Sequence, residues 1–403
     1  CGDVIRFAQA QKGCSEICEQ VIQVSMEESF LPDWSRIPAG IGGFAFSRAQ
    51  RLVGEVWDGW EDGVLWVPKI LFYSNLSQTG ACLTLAVEPG EKLGVLRERL
   101  VRDLAKLELE LSRLSLHEMS VDKRGGRPAS LPFPLATHKE ITQEKVAWCE
   151  RVEKARGVIR NGELDKVVLA RCVEWGAPAD AEFDAFGTAH RLRKEYPTCR
   201  TFLIRRPDGS SFVGATPEIL VSLERQQVEA VSLAGTARRG KTELEDKRLG
   251  DALVASAKDQ HEHRLVTDAI RTSFEPVVED LRIGTEPKLL KLQNVQHLET
   301  PIEATLDRTR GIMELISRLH PTPAVGGTPS LEAQKWLHEN EELERGWYAG
   351  LVGWLSSDGD GLFAVAIRSA LVRPEKAWSF AGAGLVVDSD PNLEWEETAL
   401  KLQ

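Results

Sequence analysis

The chain has no apolar run long enough to cross a lipid bilayer and no secretory signal peptide, so neither a membrane span nor export is expected. Its seven cysteines are scattered without a Cys-x-x-Cys pair, which favours reduced thiols over a disulfide framework. Basic residues are in deficit, because 50 Lys and Arg stand against 61 Asp and Glu, and a net charge of -11 disfavours a nucleic acid partner. Internal repeats and a Rossmann glycine fingerprint are missing as well. These absences predict a cytoplasmic protein that binds neither membranes nor nucleic acids.

What the chain does have is a carboxylate on an apolar helix face. Residues 256–270 have helical periodicity, and Glu262 shares one stripe with Leu265, Val266 and Ala269. A carboxylate that faces inward must be protonated, paired with a cation or bound to a metal. The pattern therefore fits either a structural ion pair or a metal site.

A second acidic pair lies near the other end of the sequence. Ser-Asp-Pro-Asn at 389–392 predicts a helix start, and Glu394, Glu397 and Lys401 then recur on one face at three- and four-residue steps. The plain alternative is a solvated face with a weak Glu–Lys pair. Carboxylates without His or Cys ligands nearby suit a hard cation such as Mg²⁺.

Three ordered motifs resemble the chorismate-utilising enzymes, and among them the isochorismate synthases. They are Lys-Asp-Gln-His-Glu-His at 258–263, Leu-His-Pro-Thr-Pro-Ala-Val-Gly-Gly at 319–327, and Gly-Ala-Gly-Leu-Val-Val-Asp-Ser-Asp-Pro with Glu-Trp-Glu-Glu-Thr within 382–398. The resemblance covers residues 138–403, and residues 1–137 match more loosely.

The resemblance implies an α+β fold in which two large antiparallel β-sheets pack together with helices outside. Strands and helices that interleave without βαβ regularity agree with this class. Residues 138–403 would be the chorismate-binding catalytic region and residues 1–137 the N-terminal part of the same unit. The resemblance also implies that Mg²⁺, held by Glu262, Glu394 and Glu397, holds the ring carboxylate of chorismate.

Two residues receive catalytic roles from the same resemblance. Lys166 begins an apolar strand over 166–172, where pattern alone favours a lysine that reaches out to water. By the resemblance, Lys166 activates a water molecule. Glu218 follows Pro217 among apolar neighbours, which raise a carboxyl pKa. It is either a first-turn helix residue or, by the resemblance, the general acid.

The remaining candidates bind the substrate. Arg368 lies in an apolar strand predicted over 361–372, paired as a hairpin with 347–356, and its guanidinium needs an anion. That anion is an internal carboxylate or, by the resemblance, the enolpyruvyl carboxylate of chorismate. Glycines let backbone donors approach an anion closely, and His297 is either a substrate neighbour or a structural histidine. The substrate-binding candidates are Gly235, Thr236, His297, Arg368, Gly382, Ala383, Gly384 and Lys401.

The resemblance implies an isochorismate synthase, a Mg²⁺-dependent isomerase that adds water at ring carbon 2 of chorismate and removes the 4-hydroxyl. A salicylate synthase, which goes on to eliminate pyruvate, is the nearest alternative. Anthranilate synthase is disfavoured because Lys166 stands where those relatives have glutamine, and aminodeoxychorismate chemistry because Ala234 replaces a lysine. A silent binding protein is disfavoured by the intact Lys166, Glu218 and metal carboxylates.

Chorismate is therefore the expected partner, and its two negative charges require a locally positive pocket despite the acidic chain. No glutamine amidotransferase subunit is expected, and the chain is expected to be a monomer. Menaquinone biosynthesis is preferred over a siderophore pathway. The Leu-Leu-Glu-Ser element of tryptophan-inhibited relatives is missing.

Overall fold

The chain was analysed as a computed structural model. It describes residues 6–13, 39–47, 56–74, 79–87, 90–121, 133–134, 138–178, 181–293, 295–307 and 309–402. By their contacts the residues cluster into two compact units, one within residues 1–66 and 132–403 and the other within residues 67–131. The basic loop at 122–128, which the sequence suggests as an internal boundary, lies outside the described residues, so the division at residue 137 stays a prediction.

The described residues form helices that include those predicted around the acidic residues. We label them α1 (Leu93–Val121), α2 (His138–Arg160), α3 (Ala185–Glu195), α4 (Glu243–Ala255), α5 (Ala257–Phe274), α6 (Ile312–Leu319), α7 (Ser330–Asn340) and α8 (Pro391–Lys401), and residues 6–13 are also helical. Among these helices, none is long and apolar enough to span a membrane. The helices predicted around Glu262 and Glu394 are confirmed as α5 and α8.

Side-chain caps fix where α5 and α8 begin. The Ser256 hydroxyl accepts a hydrogen bond from the Asp259 N–H, and the Asp390 carboxylate accepts from the N–H groups of Asn392 and Leu393. Each cap satisfies a backbone donor that would otherwise lack a partner at a helix start. The caps therefore set which residues of each helix face inward.

The larger unit contains a sheet of nine strands, all paired antiparallel. Its strands are β1 (Gly40–Phe44), β2 (Gly63–Trp66), β9 (Ile219–Glu224), β10 (Gln227–Arg238), β11 (Val278–Ile283), β12 (Lys288–Lys291), β13 (Val295–Leu306), β15 (Leu351–Leu355) and β16 (Gly361–Val365). Their order is β11-β13-β10-β9-β16-β15-β1-β2, with β12 also paired to β13. We call this the first sheet.

A second antiparallel sheet of seven strands belongs to the same unit. Its strands are β5 (Phe133–Pro134), β6 (Lys166–Gly176), β7 (Arg200–Arg205), β8 (Ser211–Thr216), β14 (Gly327–Thr328), β17 (Ser369–Val372) and β18 (Lys376–Leu385). Their order is β14-β6-β18-β17-β8-β7, with β5 also paired to β6. Residues 166–172 are apolar on both faces, which predicts an interior strand, and this is confirmed because β6 has partners on both sides.

The two sheets share one hydrophobic core. Val221 and Phe363 of the first sheet belong to the same buried cluster as Leu169, Phe212 and Phe380 of the second. Helix α5 packs on β10, α3 on β7 and β8, and α8 on β18. This arrangement confirms the predicted α+β fold with two large antiparallel sheets and helices packed against them.

The smaller unit is a two-stranded sheet followed by a long helix. Strands β3 (Ile70–Ser74) and β4 (Thr79–Leu83) pair antiparallel, and α1 follows. Lys69 Nζ lies 2.9 Å from Asp103 Oδ2 of α1, so an ion pair links the start of β3 to the helix. The periodicity of residues 93–114 predicts a helix, and α1 covers these residues and extends to Val121.

The strand predicted over 361–372 is wrong in one respect. It divides into β16 and β17, which belong to different sheets, and the chain crosses between them at residues 366–368. Arg368 has a φ of +52°, in the left-handed region that arginine rarely adopts, and its carbonyl accepts from the Ala215 N–H of β8. The hairpin of β15 and β16 is confirmed, but Arg368 stands at a crossing point rather than within a strand.

A buried ion pair fastens Val325, in the turn before β14, to β6. Arg345 donates to Glu341 through Nε (2.6 Å) and Nη2 (2.7 Å), and to the carbonyls of Val325 (2.7 Å) and Val168 (2.6 Å). Glu341 also accepts from the Ala170 N–H at 2.8 Å. The guanidinium and the carboxylate bond to each other through two hydrogen bonds, and both also bond to backbone groups. The pair therefore anchors these segments to each other.

Arg345→Ala should lower the free energy of unfolding by about 3–5 kcal/mol, since it leaves the Glu341 carboxylate buried without its cation. Urea unfolding followed by circular dichroism measures the loss. The matched control is Arg271→Ala, which breaks the exposed pair with Asp268 and should cost less than about 1 kcal/mol. Equal losses in the two variants would contradict the anchoring role.

Candidate active site

A cavity opens where the two sheets meet α5 and α8. Its walls include Leu233 of the first sheet, Val168 and Phe380 of the second, and Tyr348 before β15. The predicted site residues that line it are Glu218, Gly235, Thr236, Glu262, His297, Arg368, Gly382, Gly384, Glu397 and Lys401. Residues that are far apart in sequence are thus brought to one place.

Lys166, Ala383 and Glu394 are placed differently. Lys166 and Glu394 are buried and do not line the cavity, although Lys166 pairs with Glu262, which does. Ala383 is fully buried in the hydrophobic core, because successive residues of β18 face opposite sides of the sheet and Gly382 and Gly384 line the cavity. The side chain of Ala383 therefore packs the core.

Lys166 is an ion-pair partner of Glu262. Its side chain is fully buried, which excludes the interpretation of a lysine reaching out to water, and its Nζ lies 2.9 Å from Glu262 Oε1. Burial alone would raise the pKa of Glu262, but Lys166, Lys258 and Lys401 outweigh it and lower the pKa. Glu262 is therefore an ionised carboxylate.

Gly384 makes room for this pair. A Cβ at residue 384 would clash with Glu262 Oε1 and lie 3.0 Å from Lys166 Cε. The contacts involve the charged ends of both side chains, which are already confined by burial. A glycine at this position of β18 is therefore required sterically by the ion pair, not by backbone conformation.

Glu218 holds a proton near neutral pH. It is 5% exposed in the link between β8 and β9, so it is not a first-turn helix residue. Its own N–H donates to Thr216 Oγ1 at 3.1 Å. Burial raises the pKa of Glu218 to about 7, against the opposing charges of Lys166 and Lys401. A carboxyl with this pKa on a cavity wall can act as a general acid.

Two carboxylates of α8 are held by lysines. Glu397 Oε1 lies 2.7 Å from Lys401 Nζ, which also donates to the Gly382 carbonyl at 2.9 Å. Glu394 Oε1 lies 2.6 Å from Lys258 Nζ of α5. Glu394 is almost completely buried, so the alternative of a solvated acidic face is excluded. The pair of Lys258 and Glu394 joins the two helices that carry the predicted metal ligands.

Like charges are crowded around these pairs. Burial and the charge of Glu397 raise the pKa of Glu394, and burial and the charges of Glu262 and Glu397 raise that of Asp259. Burial works against the ammonium of Lys258, but Glu394, Glu262 and Glu397 outweigh it and raise its pKa. The carboxylates therefore repel one another and together favour a positive charge nearby.

Their donor set fits a hard divalent cation, since it offers only carboxylate oxygens. In the part of the chain that the structure describes, no three His, Cys, Asp or Glu side chains converge as they stand to hold a metal ion. The three predicted ligands are each turned to a lysine instead. A metal at this place must compete with those ammonium groups.

Arg368 and His297 form the opposite wall. Arg368 Nη2 lies 3.3 Å from His297 Nε2, and because a guanidinium can only donate, Nε2 is the acceptor. The proton is then on Nδ1, which lies 3.2 Å from both the Gly235 carbonyl and Thr236 Oγ1. Burial and the positive charges nearby lower the pKa of His297 to about 3, so the ring is neutral. The histidine therefore orients the guanidinium without adding charge.

Arg368 has capacity for an anion. Burial lowers its pKa more than the charge of Glu397 raises it, so the guanidinium is under-compensated by the protein. Gly235, at a φ of +78°, sits at a bulge in β10 that turns its carbonyl to His297. An internal carboxylate partner for Arg368, the alternative considered from sequence, is not among the described ion pairs.

Sequence reasoning missed Lys258 and two aromatic walls. Tyr348 and Phe380 stack with ring centroids 5.1 Å apart and both line the cavity. Lys258 lies four residues before Glu262, the spacing that puts two side chains on one helix face. That spacing is a usable signal for Lys258, whereas nothing in the local pattern distinguishes Tyr348 from an ordinary core aromatic.

This fold and cavity define a class of protein. The family described as chorismate binding enzyme matches residues 3–403, so the chain belongs to the chorismate binding enzymes. The family assignment made from the three motifs is confirmed.

Within this family, the chain is similar to several isochorismate synthases. The chain is 39% identical to the salicylate biosynthesis isochorismate synthase of Pseudomonas aeruginosa, over 98% of this chain and 78% of that protein. It is 34% identical to isochorismate synthase MenF of Bacillus subtilis, over 94% and 76%. The structure of MenF, the menaquinone-specific isochorismate synthase of Escherichia coli, matches with a TM-score of 0.72 at 26% identity, over 92% and 78%.

Glu218→Gln should remove a pH-dependent loss of stability. Below the ordinary pKa of about 4.5 the carboxyl is neutral in both states, whereas between 4.5 and about 7 only the unfolded state ionises, and this destabilises the folded state. Above pH 7 the penalty should reach on the order of 3 kcal/mol.

Urea unfolding at pH 5 and pH 8 tests this. The stability gained by Glu218→Gln relative to the natural chain should be larger at pH 8. Glu229→Gln, on an exposed position of β10, is the control and should behave alike at both pH values. A pH-independent effect of Glu218→Gln would show that Glu218 titrates normally.

Proposed function

We propose that this chorismate binding enzyme is an isochorismate synthase, an isomerase that converts chorismate to isochorismate. Its named relatives support this activity. The observation that carries the proposal is a buried lysine and a carboxyl that is protonated near pH 7, placed around one cavity that Arg368 and Lys401 also reach. A water addition coupled to loss of a hydroxyl needs one base and one acid in such an arrangement.

The cavity suits a small dianion. Arg368 is under-compensated and would hold the enolpyruvyl carboxylate through its planar fork. Lys401 is shared between Glu397 and the Gly382 carbonyl and would face a substrate carboxylate when Glu397 turns away. Tyr348 and Phe380 would contact the ring. These cations overcome the net negative charge of the chain locally.

Acid and base work is divided between Lys166 and Glu218. In the structure Lys166 is an ammonium held by Glu262, and a buried ammonium that loses this counter-ion favours the neutral amine. The amine then takes a proton from water as the water oxygen bonds to ring carbon 2. Glu218 gives its proton to the departing 4-hydroxyl, which leaves as water. Holding water, ring and acid in one geometry contributes much of the rate.

We further propose that Glu262, Glu394 and Glu397 hold Mg²⁺. Their exclusive oxygen donors and mutual repulsion support the assignment. When bound, Mg²⁺ would supply positive charge for the ring carboxylate of chorismate. Glu262 would then leave Lys166, and this departure fits the need of Lys166 to lose its counter-ion.

One assay tests the activity. The protein is incubated with chorismate in Mg²⁺ or in EDTA, and the products are separated and weighed by mass spectrometry. A product of unchanged mass that appears only with Mg²⁺ is expected. If chorismate is not consumed in Mg²⁺, the proposed activity is wrong.

The same assay separates the rival. Salicylate together with pyruvate would identify a salicylate synthase. For the pathway we propose menaquinone biosynthesis, which the names of the Bacillus and Escherichia relatives support, while the Pseudomonas relative is named for salicylate biosynthesis. Rescue of menaquinone-dependent growth in a strain without its isochorismate synthase tests the pathway. We also propose a cytoplasmic monomer that acts without an amidotransferase subunit.

Lys166→Ala should lower kcat by about 10²- to 10⁴-fold, because it removes the base while leaving the cations that bind chorismate. Steady-state kinetics and calorimetric titration with chorismate measure the two effects separately. Lys376→Ala is the matched control, since Lys376 pairs with Glu174 on the same sheet away from the cavity. A Lys166→Ala variant with undiminished kcat would exclude Lys166 as the base.

Glu262→Gln should weaken Mg²⁺ and chorismate binding together, by at least about tenfold, because a ligand carboxylate and the counter-ion of Lys166 are lost. Calorimetric titration with each, alone and in combination, checks this. Glu174→Gln, which breaks an exposed ion pair of the same kind, should leave both affinities unchanged. Unaltered binding by Glu262→Gln would count against its role as a metal ligand.

A further inference from the structure

Lys258 lies beside the cluster of carboxylates formed by Glu262, Glu394 and Glu397. It lies in the first turn of α5, and its Nζ is 2.6 Å from Glu394 Oε1 of α8. Glu262 follows four residues later on the same helix face, and Glu397 follows Glu394 by three residues on α8. The ammonium therefore stands among the three carboxylates that the proposed function assigns to Mg²⁺.

The lysines of the cluster differ in how freely they can leave. The side chain of Lys166 is fully buried, whereas that of Lys258 is 31% exposed. A long side chain at the edge of the protein can turn its charged end to water at low cost. Glu394, with a side chain only 2% exposed, cannot follow it. Of these two lysines, Lys258 is thus the one that can leave its carboxylate.

We propose that Lys258 is a built-in competitor of the divalent cation, which holds Glu394 in the metal-free protein and sets the affinity for the metal by having to release it. The inference rests on the magnesium site of the proposed function. It concerns one equilibrium: either the ammonium or the metal compensates the charge of Glu394. In both states the buried carboxylate keeps a cationic partner, as its position demands.

Removing Lys258 would change the metal affinity in the opposite direction if the lysine only positioned Glu394. If Lys258 served to aim Glu394 at the metal, its removal would weaken metal binding. If it competes, removing its charge strengthens binding, because no ion pair has to break and no positive charge stays near the metal. The sign of the change therefore separates the two roles.

The experiment is calorimetric titration with Mg²⁺ alone at about 0.15 M salt, where exposed charges are screened. Lys258→Met keeps the length of the side chain and removes the charge, and it should bind Mg²⁺ about tenfold more tightly than the natural chain. Lys247→Met is the matched control. It removes an exposed lysine paired with Asp251 on α4 and tests the effect of net charge alone, so its affinity should stay unchanged.

A second variant keeps the test decisive if Lys258→Met folds poorly. Lys258→Arg retains the charge and adds a fork that can bind both oxygens of Glu394, so it should weaken Mg²⁺ binding. Thermal melting gives an independent readout, since saturating Mg²⁺ should raise Tm more in Lys258→Met than in the natural chain.

Each outcome decides the matter. Tighter binding by Lys258→Met, with Lys247→Met unchanged, supports the proposal. Unchanged or weaker binding by Lys258→Met overturns it, even where the natural chain converts chorismate in Mg²⁺. A natural chain that binds no Mg²⁺ overturns both this inference and the magnesium site, while turnover of chorismate in EDTA would show that the isomerase activity survives without them.

Discussion

The matching of buried carboxylates with lysines is the interaction on which the cavity depends. Glu262, Glu394 and Glu397 each face a lysine, because acids brought from two helices into one small volume cannot stay ionised without cations. Glu218 has no such lysine within pairing distance in the described ion pairs and solves the same problem by keeping a proton. Buried carboxyl groups thus avoid uncompensated charge in two ways. Three of them pair with lysines, and Glu218 has a raised pKa.

The fold supplies this arrangement by bringing two sheets and two helices to one place. Helix α5 carries Glu262 over the first sheet, and α8 carries Glu397 over the second. Arg368 stands where the chain passes from one sheet to the other, so its left-handed backbone is the cost of placing a guanidinium between them. The site is therefore a property of the packing between layers, not of any single motif.

The features that could be predicted from the sequence are those with a local pattern. Helical spacing and capping residues located α5, α8 and their carboxylates, and the apolar run after Lys166 indicated an interior strand. It failed at residues 366–368, because apolar and small residues continue on both sides of the crossing and no glycine or proline marks it. The substrate-binding role predicted for Ala383 stays a prediction, and because its side chain packs the core, that role would fall to its backbone. The spacing of Lys258 and Glu262 puts both on one helix face, but the pairing of Lys258 with Glu394 depends on how two helices meet, which no local pattern encodes.

Gly384 shows how little space lies between β18 and the ion pair of Lys166 and Glu262. A Cβ built on its α-carbon would lie against the Glu262 carboxylate and the end of the Lys166 side chain, which form an ion pair. A larger substituent at this strand position would clash with the Glu262 carboxylate. The position therefore carries only a hydrogen atom as long as Glu262 and Lys166 keep their places. The smallest residue in the protein thereby limits the positions that two oppositely charged side chains can take.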